Sequence, residues 1–466
     1  MYGVFPYGAG FFGASAPGTS SVVARPTTPY VTLAEALTAI SARLGDPANV
    51  RFAQAELTCY LQEAIRTFNA LTGHFRDVGV FQTAVGEPFY SLPSVLPSLR
   101  GYSVTDIELT QCIEYSLLEP PTPTSWTGTD MFTLDDVVSA LQRRRDQFLL
   151  ETGMVVTRST PTITPAMGGR FALSSDIVTV RRAAFQNVDG VMPLHREDVW
   201  AFNHYNPPWV QNPGRPPADF PFAYSIGETP PLVIQIVPPP SDRGTLDLLS
   251  VQRGVTLDTT AGGVTLGVPD DWSWGVKWGA LADLLNKDGL AQDPARASYC
   301  EQRWQQAVDL GKMASVVWSA RVNDVPVLVT AVAEADQFLQ GWQGTTGQPD
   351  TALLSGGNLV ALSAVPDGVY GVTLDLVVNA PVPSAIDDVI QLGPEWLDAI
   401  YGYVIHLCLF KEGIQGVQDT QGLLEQFFRM AGVEFSLETA STPNRSSLVA
   451  QAQQENAQTP RLEMTR

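Results

Sequence analysis

The sequence predicts an α+β protein: a helical-bundle core with β-hairpin and β-sheet insertions, and a duplicated C-terminal α+β module. Three observations carry that expectation. Apolar residues recur at helical spacing in two blocks, one before residue 153 and one after residue 270. A Pro-rich stretch of alternating apolar residues lies between them. A set of short segments occurs twice, in the same order, in the C-terminal half.

The 466 residues suffice for roughly two to four domains. Hydrophobic residues make up 44% and charged residues 16%, the latter well under the usual ~25%. With 39 Gly and 35 Pro, the chain is turn-rich without being low-complexity, which excludes a disordered chain, a collagen and a coiled coil. The net charge of −20 argues against a chain that grips nucleic acid, because phosphate neutralisation drives that affinity. Cys59, Cys112, Cys300 and Cys408 have no C-x-x-C spacing and read as buried free thiols. No basic-then-apolar leader and no 18-residue apolar run is visible, so we expect no membrane contact and folding in a cytosol.

Taken in order, residues 1–28 are Gly, Ala, Ser, Pro and aromatics with a single charge, Arg25. They read either as an arm docking on a neighbour through Phe5, Tyr7, Phe11 and Phe12, or as an unstructured end. Residues 29–153 form an expected helical region with a hairpin. Thr32-Leu-Ala-Glu35 is a capping box for a helix that Gly45-Asp-Pro47 stops. Leu57, Tyr60, Leu61, Ile65, Phe68 and Leu71 stripe a second helix ending at Gly73. Val78 to Leu92 alternates around Val85–Pro88 as a hairpin, and a third helix runs from Thr133 to near Gly153. Residues 154–325 hold a first α+β module, with strands over 155–252 and helices over 270–287 and 294–320. Residues 326–440 hold its second copy. Residues 441–466 are polar and weakly basic, reading as an extended tail that docks through Arg445, Arg461 and Arg466, or as a free end.

The repeat is the most informative feature. Trp209, Gly214 and Pro216 form W-x4-G-x-P, and so do Trp342, Gly347 and Pro349. Downstream, 232–249 resembles 359–377, LGVPDDW (266–272) resembles LGPEW (392–396), and Lys287-Asp-Gly289 resembles Lys411-Glu-Gly413. Glu301–Trp304 then resembles Glu425–Phe428.

Chemistry is sparse. No nucleophile elbow, zinc helix, phosphate-binding loop or dinucleotide fingerprint is present. Of four histidines, His74, His195, His204 and His406, only His195 and His204 with Glu197 and Asp198 resemble a metal set, and weakly. His406 sits in an apolar helix and reads as a satisfied core residue. The acid pairs Asp135-Asp136 and Asp270-Asp271 read as helix caps, and neighbouring acids, Asp387-Asp388 included, give no assignment of the separation across a cleft that a glycosidase needs. Trp272, Trp274, Trp278 and Trp304 read as helix packing or a subunit interface. We expect no catalytic residue, no metal and no cofactor.

Three parts together resemble the head-to-tail connector (adaptor, neck) proteins of tailed bacteriophages. They are the helix pair around DPANVRFAQAEL followed by VGEPFYSLP, the W-x4-G-x-P element followed by VPPPSD and GTLDLLSV, and the closing VPDDWSWGVKWGALADLLNKDGLAQDPARASYCEQRWQQ. The resemblance implies a structural, non-enzymatic virion protein of the neck, present in host cytoplasm during assembly. It implies a homo-oligomeric ring, commonly of twelve copies, docked on the portal protein and meeting a tail or neck protein. Double-stranded DNA would pass through without sequence-specific binding. Two other readings stay open: another tail or baseplate component, and a carbohydrate-active hydrolase with a β-rich domain.

Overall fold

The computed structural model describes residues 30–117, 131–167, 169–188, 190–198, 221–227, 232–260, 263–339 and 341–433. The expected arm (1–28) and tail (441–466), with Phe5, Tyr7, Phe11, Phe12, Arg445, Arg461 and Arg466, lie outside the described residues, as do Trp209, Gly214 and Pro216. The described chain is α+β.

Helices form where an apolar stripe meets a start or stop signal. α1 (Leu33–Arg43) begins at Thr32, whose hydroxyl accepts the Glu35 N–H while the Glu35 carboxylate accepts the Thr32 N–H. α2 (Gln54–Thr72) buries Leu57, Tyr60, Leu61, Ile65 and Phe68 and stops at Gly73, in the left-handed region at φ 57°. β1 (Arg76–Gln82), β2 (Phe89–Ser91) and two single turns, α3 (Leu92–Val95) and α4 (Pro97–Arg100), follow. α5 (Asp106–Leu117) is absent from the expected elements. α6 (Leu134–Thr152) starts at a second capping box, Thr133 with Asp136, and stops at Gly153.

Eight strands come next: β3 (Thr157–Ser159), β4 (Thr162–Ile163), β5 (Arg170–Ala172), β6 (Ile177–Asn187), β7 (Gly190–Arg196), β8 (Ala223–Ile226), β9 (Val233–Val237) and β10 (Gly244–Gln252). Helices α7 (Ser273–Leu285) and α8 (Pro294–Met313) close this unit. The helix expected to reach residue 320 ends at Met313 because Val317, Ala320 and Val322 are buried on one face of strand β11 (Val317–Val322). Then come β12 (Val325–Ala331), α9 (Val332–Phe338), β13 (Thr346–Gly347), β14 (Thr351–Ser355), β15 (Leu359–Ser363), β16 (Val365–Pro366) and β17 (Gly371–Val377). Helices α10 (Pro394–Phe410), α11 (Ile414–Asp419) and α12 (Gln421–Met430) end the described chain.

The hairpin expected across Val78–Leu92 does not form. β1 pairs with β17 and β2 with β15, at opposite edges of one sheet. That sheet curls so far that its edges meet, with the Phe81 and Tyr90 rings 5.0 Å apart. Burying both rings in one core outweighs the local turn.

The two large sheets follow one path. One runs β3-β10-β6-β7-β8-β9-β5, with β4 also on β10; the other runs β1-β17-β11-β12-β14-β15-β2. All neighbours along each path are antiparallel except β7 with β8 and β12 with β14, which are parallel. The helices correspond as well. α2 and α6 both end in Thr-Gly, each threonine hydroxyl bonding the carbonyl four residues back, Phe68 or Phe148. Thr32 and Thr105 each bridge to the segment ahead of a later helix, at Val389 and Thr265. Trp396 lies 5.2 Å from Phe68, and Trp272 lies 6.4 Å from Phe148. Lys411 pairs with Glu56 at 2.8 Å, and Lys287 with Asp136 at 2.6 Å. The unit from α5 to α8 lies, in sequence, between β2 and β11 of the other.

One continuous apolar core runs through both helical sets, and each sheet has its own. Trp342 is buried with Phe89, Val156 and Leu249 where elements of the two sheets meet. Cys300 and Cys408 are buried thiols, as expected. Cys59 and Cys112 are not free: they form a disulfide joining α2 to α5, whose packing brings their Cα atoms to 6.2 Å, well inside bonding range. Closing a 53-residue separation restricts the unfolded chain. We expect a Cys59→Ser, Cys112→Ser variant to lose about 4 kcal/mol on that loop-closure argument. Urea midpoints measured with and without reductant test this, and identical midpoints would show that the bridge adds nothing.

Candidate functional site

Four helices end at one place. The C-terminal ends of α2, α6 and α8, and the residues just beyond α12, line a cleft of about 2140 Å³. Helix C-termini present unpaired carbonyls and favour nearby cations. Two arginines answer that demand: Arg76 Nε donates to the Gly73 carbonyl at 3.0 Å, and Arg181 Nη2 to the Leu150 carbonyl at 2.5 Å. Arg76 also lies 3.6 Å over the Trp318 ring, a cation–π contact at the rim.

The described lining holds five cations, Arg76, Arg181, Arg182, Arg196 and Lys312, against two carboxylates, Asp271 and Asp336. Both carboxylates are committed within the fold. Asp336 takes two guanidinium contacts from Arg182 and the Trp342 indole N–H at 3.0 Å. Asp271 accepts from Asn69 Nδ2 at 2.6 Å and from the Ala380 N–H at 3.1 Å. The cleft is thus basic within a chain of net charge −20. Its rim is also apolar and open, with Met313 73%, Trp318 54% and Met192 40% exposed. Six or more elements contribute, so no local motif announces it; the adjacent pair Arg181-Arg182 is its one sequence signal.

Of the residues singled out from sequence, His195, Asp271 and Trp272 line the cleft and the other described ones fall elsewhere. Trp342 is buried, meets Phe89 edge-on at 5.8 Å and anchors Asp336 behind the cleft wall. Gly347 pairs in β13 with Pro366 of β16. Trp272, Trp274, Trp278 and Trp304 are all core, as one of their two readings had it, and Arg303 is buried against Trp274 and Trp278. Asp136 is a cap. Asp270 and Asp271 are not: neither bonds its own helix through its side chain. Asp270 accepts the Ser103 and Val104 N–H groups at 2.8 and 3.0 Å, so the pair clasps neighbouring segments instead. Asp388 closes a turn by accepting the Ser384 and Ala385 N–H groups. Among the described residues no group of three or more His, Cys, Asp or Glu converges as a metal site, and no helix is long and apolar enough to cross a membrane. His204 lies outside the described residues.

His406 is a satisfied core histidine. The Thr420 hydroxyl donates to the Gly416 carbonyl, so it accepts from His406 Nδ1–H at 2.8 Å. Nε2 is left to accept the Tyr299 O–H at 2.6 Å. Burial, with the nearby Arg303 charge, pulls the His406 pKa down to about 3. Its unfolded value is about 6.5. Between those values the unfolded chain binds a proton that the folded chain refuses, so stability falls as pH drops below 6.5 and levels off near 3. The expected slope from this residue is up to about tenfold in the folding equilibrium per pH unit. His406→Asn should therefore narrow its stability deficit relative to the parent as pH falls from 7 to 4.5. Parallel denaturation midpoints across that range would refute the assignment.

Residues 108–323 match the family model of the SU10 adaptor protein, just under half of the chain. The match points to a structural adaptor protein of a bacteriophage. Its span runs from within α5 to the end of β11 and so takes in nearly all of the α5–α8 unit. No curated protein matches the chain.

Proposed function

We propose that the chain is a structural subunit of the phage neck, without catalytic activity, that assembles into a ring of twelve between portal and tail. The ring would give double-stranded DNA a passage and the tail a docking platform. The subunit would wait in host cytoplasm and end in the virion. The observation that carries this reading is the adaptor-family match over residues 108–323, which spans nearly all of one unit of the fold. Composition supports it: 16% charged residues suit a subunit with much of its surface covered by neighbours. A net charge of −20 suits a wall that a polyanion must slide past, since each added Lys or Arg would create phosphate affinity.

Electron microscopy of the concentrated full-length protein, alone and with portal rings, tests the proposal. We expect closed twelve-fold particles with a channel wider than duplex DNA. Particles of another symmetry, or binding to tail tubes but not to portals, would move the subunit elsewhere in the virion.

The terminal segment 441–466 would serve as the portal clamp through Arg445, Arg461 and Arg466. We expect deletion of 441–466 to leave the melting temperature unchanged and to weaken portal binding at least tenfold. A large drop in melting temperature would make the segment part of the folded core.

A further inference from the structure

The basic cleft at the four helix ends is a surface in want of a cover, and the chain itself runs into it. Gly432 and Val433 line the cleft, and 33 residues follow them. The first of these read Glu434, Phe435, Ser436, Leu437 and Glu438. Two apolar side chains alternate with two carboxylates, so in an extended chain the apolar pair falls on one face and the carboxylates on the other. That pattern complements a cleft whose rim exposes Met192, Met313 and Trp318 and whose lining carries Arg76, Arg181, Arg196 and Lys312 beside the Arg182 that Asp336 already pairs.

We propose that residues 434–440 of the same chain occupy this cleft. Phe435 and Leu437 cover Trp318 and Met313, and Glu434 and Glu438 face Lys312, Arg76 and Arg181. Size favours a peptide: about 2140 Å³ is over twice the ~1,000 Å³ upper range of small-molecule pockets. Seven extended residues reach roughly 23 Å, enough to cross from the α12 side toward β1. Tethering favours the same chain over a second copy, because a segment that begins at the cleft wall has a local concentration on the order of millimolar. The segment would complete the wall of the helical body and fix where the remaining tail leaves it.

Hydrogen–deuterium exchange on the full-length protein tests this. In the parent, amides of residues 313–318 should be protected, and Phe435→Ser with Leu437→Ser should speed their exchange at least tenfold. Helix α7 serves as an internal control and should not change. A second variant, Glu434→Lys with Glu438→Lys, should act in the same direction without touching the apolar contacts. Equal exchange in parent and both variants would overturn the proposal. Protection that disappears on dilution would also overturn it, because the segment would then belong to another copy.

Discussion

Two adjacent buried carboxylates hold the two halves of this chain together. Asp270 accepts the Ser103 and Val104 N–H groups, the Ser103 hydroxyl and Asn379 Nδ2; Asp271 accepts Asn69 Nδ2 and the Ala380 N–H. Both are 4% exposed, and Asn69 is fully buried. Taking charged oxygens out of water is tolerable only where donors fill their lone pairs. Those donors come from the end of α2, from the link into α5 and from the link out of β17. The link into α5 is where the chain passes from one unit to the other, and the other two places lie within the flanking unit. The acid pair at the start of α7 therefore fastens the interposed unit to the segments on either side of it, and the cleft has Asn69 and Asp271 in its lining.

That interposition explains how one framework gives two local chemistries. Lys411–Glu56 and Lys287–Asp136 occupy corresponding positions, yet their carboxylates shift in opposite directions. Glu56 is 3% exposed, and burial raises its pKa by more than the Lys411 ammonium lowers it. Asp136 is near the surface, and its bonds to Lys287 and Thr133 lower its pKa. The contact is shared; the surroundings decide its sign. A buried pair of this kind is costly to break and contributes little net stability, so its value lies in fixing where α10 sits on α2. The surface pair is screened and holds α7 on α6 more loosely.

Sequence patterns reveal the helices best. Thr32, Thr133, Gly73 and Gly153 mark starts and stops by backbone chemistry that acts within four residues, so they are visible in a one-dimensional string. The strands of 155–252 show as alternation, and the downstream repeat shows as matched words. What the string hides is pairing. β1 and β2 look like a hairpin because their turn is local, while their partners lie some 280 residues on. Separation along the chain also conceals that the helices before residue 153 take part in both units, and that Cys59 meets Cys112 across 53 residues. α5 carries a start signal as well, Thr105-Asp-Ile-Glu108, in which the Thr105 hydroxyl accepts the Glu108 N–H, while Asp106 also holds the Asp258 and Val264 N–H groups. The cleft is hidden most completely, since Arg76, Arg181 and Lys312 are neighbours only after three helix ends have converged.

That convergence also accounts for how charge is distributed. A helix end needs a cation whatever the protein's function, and four ends at one place need several. Arg76 and Arg181 meet that need by bonding terminal carbonyls, so much of the cleft's positive charge follows from the fold. Drawing five of only 28 cationic residues into one recess leaves the remaining surface more acidic than the −20 average suggests. An acidic exterior that repels phosphate and a basic recess that attracts carboxylate are then two results of one packing decision. Reversing either would mean moving the helix ends apart, which the shared core and the Asp270–Asp271 clasp oppose.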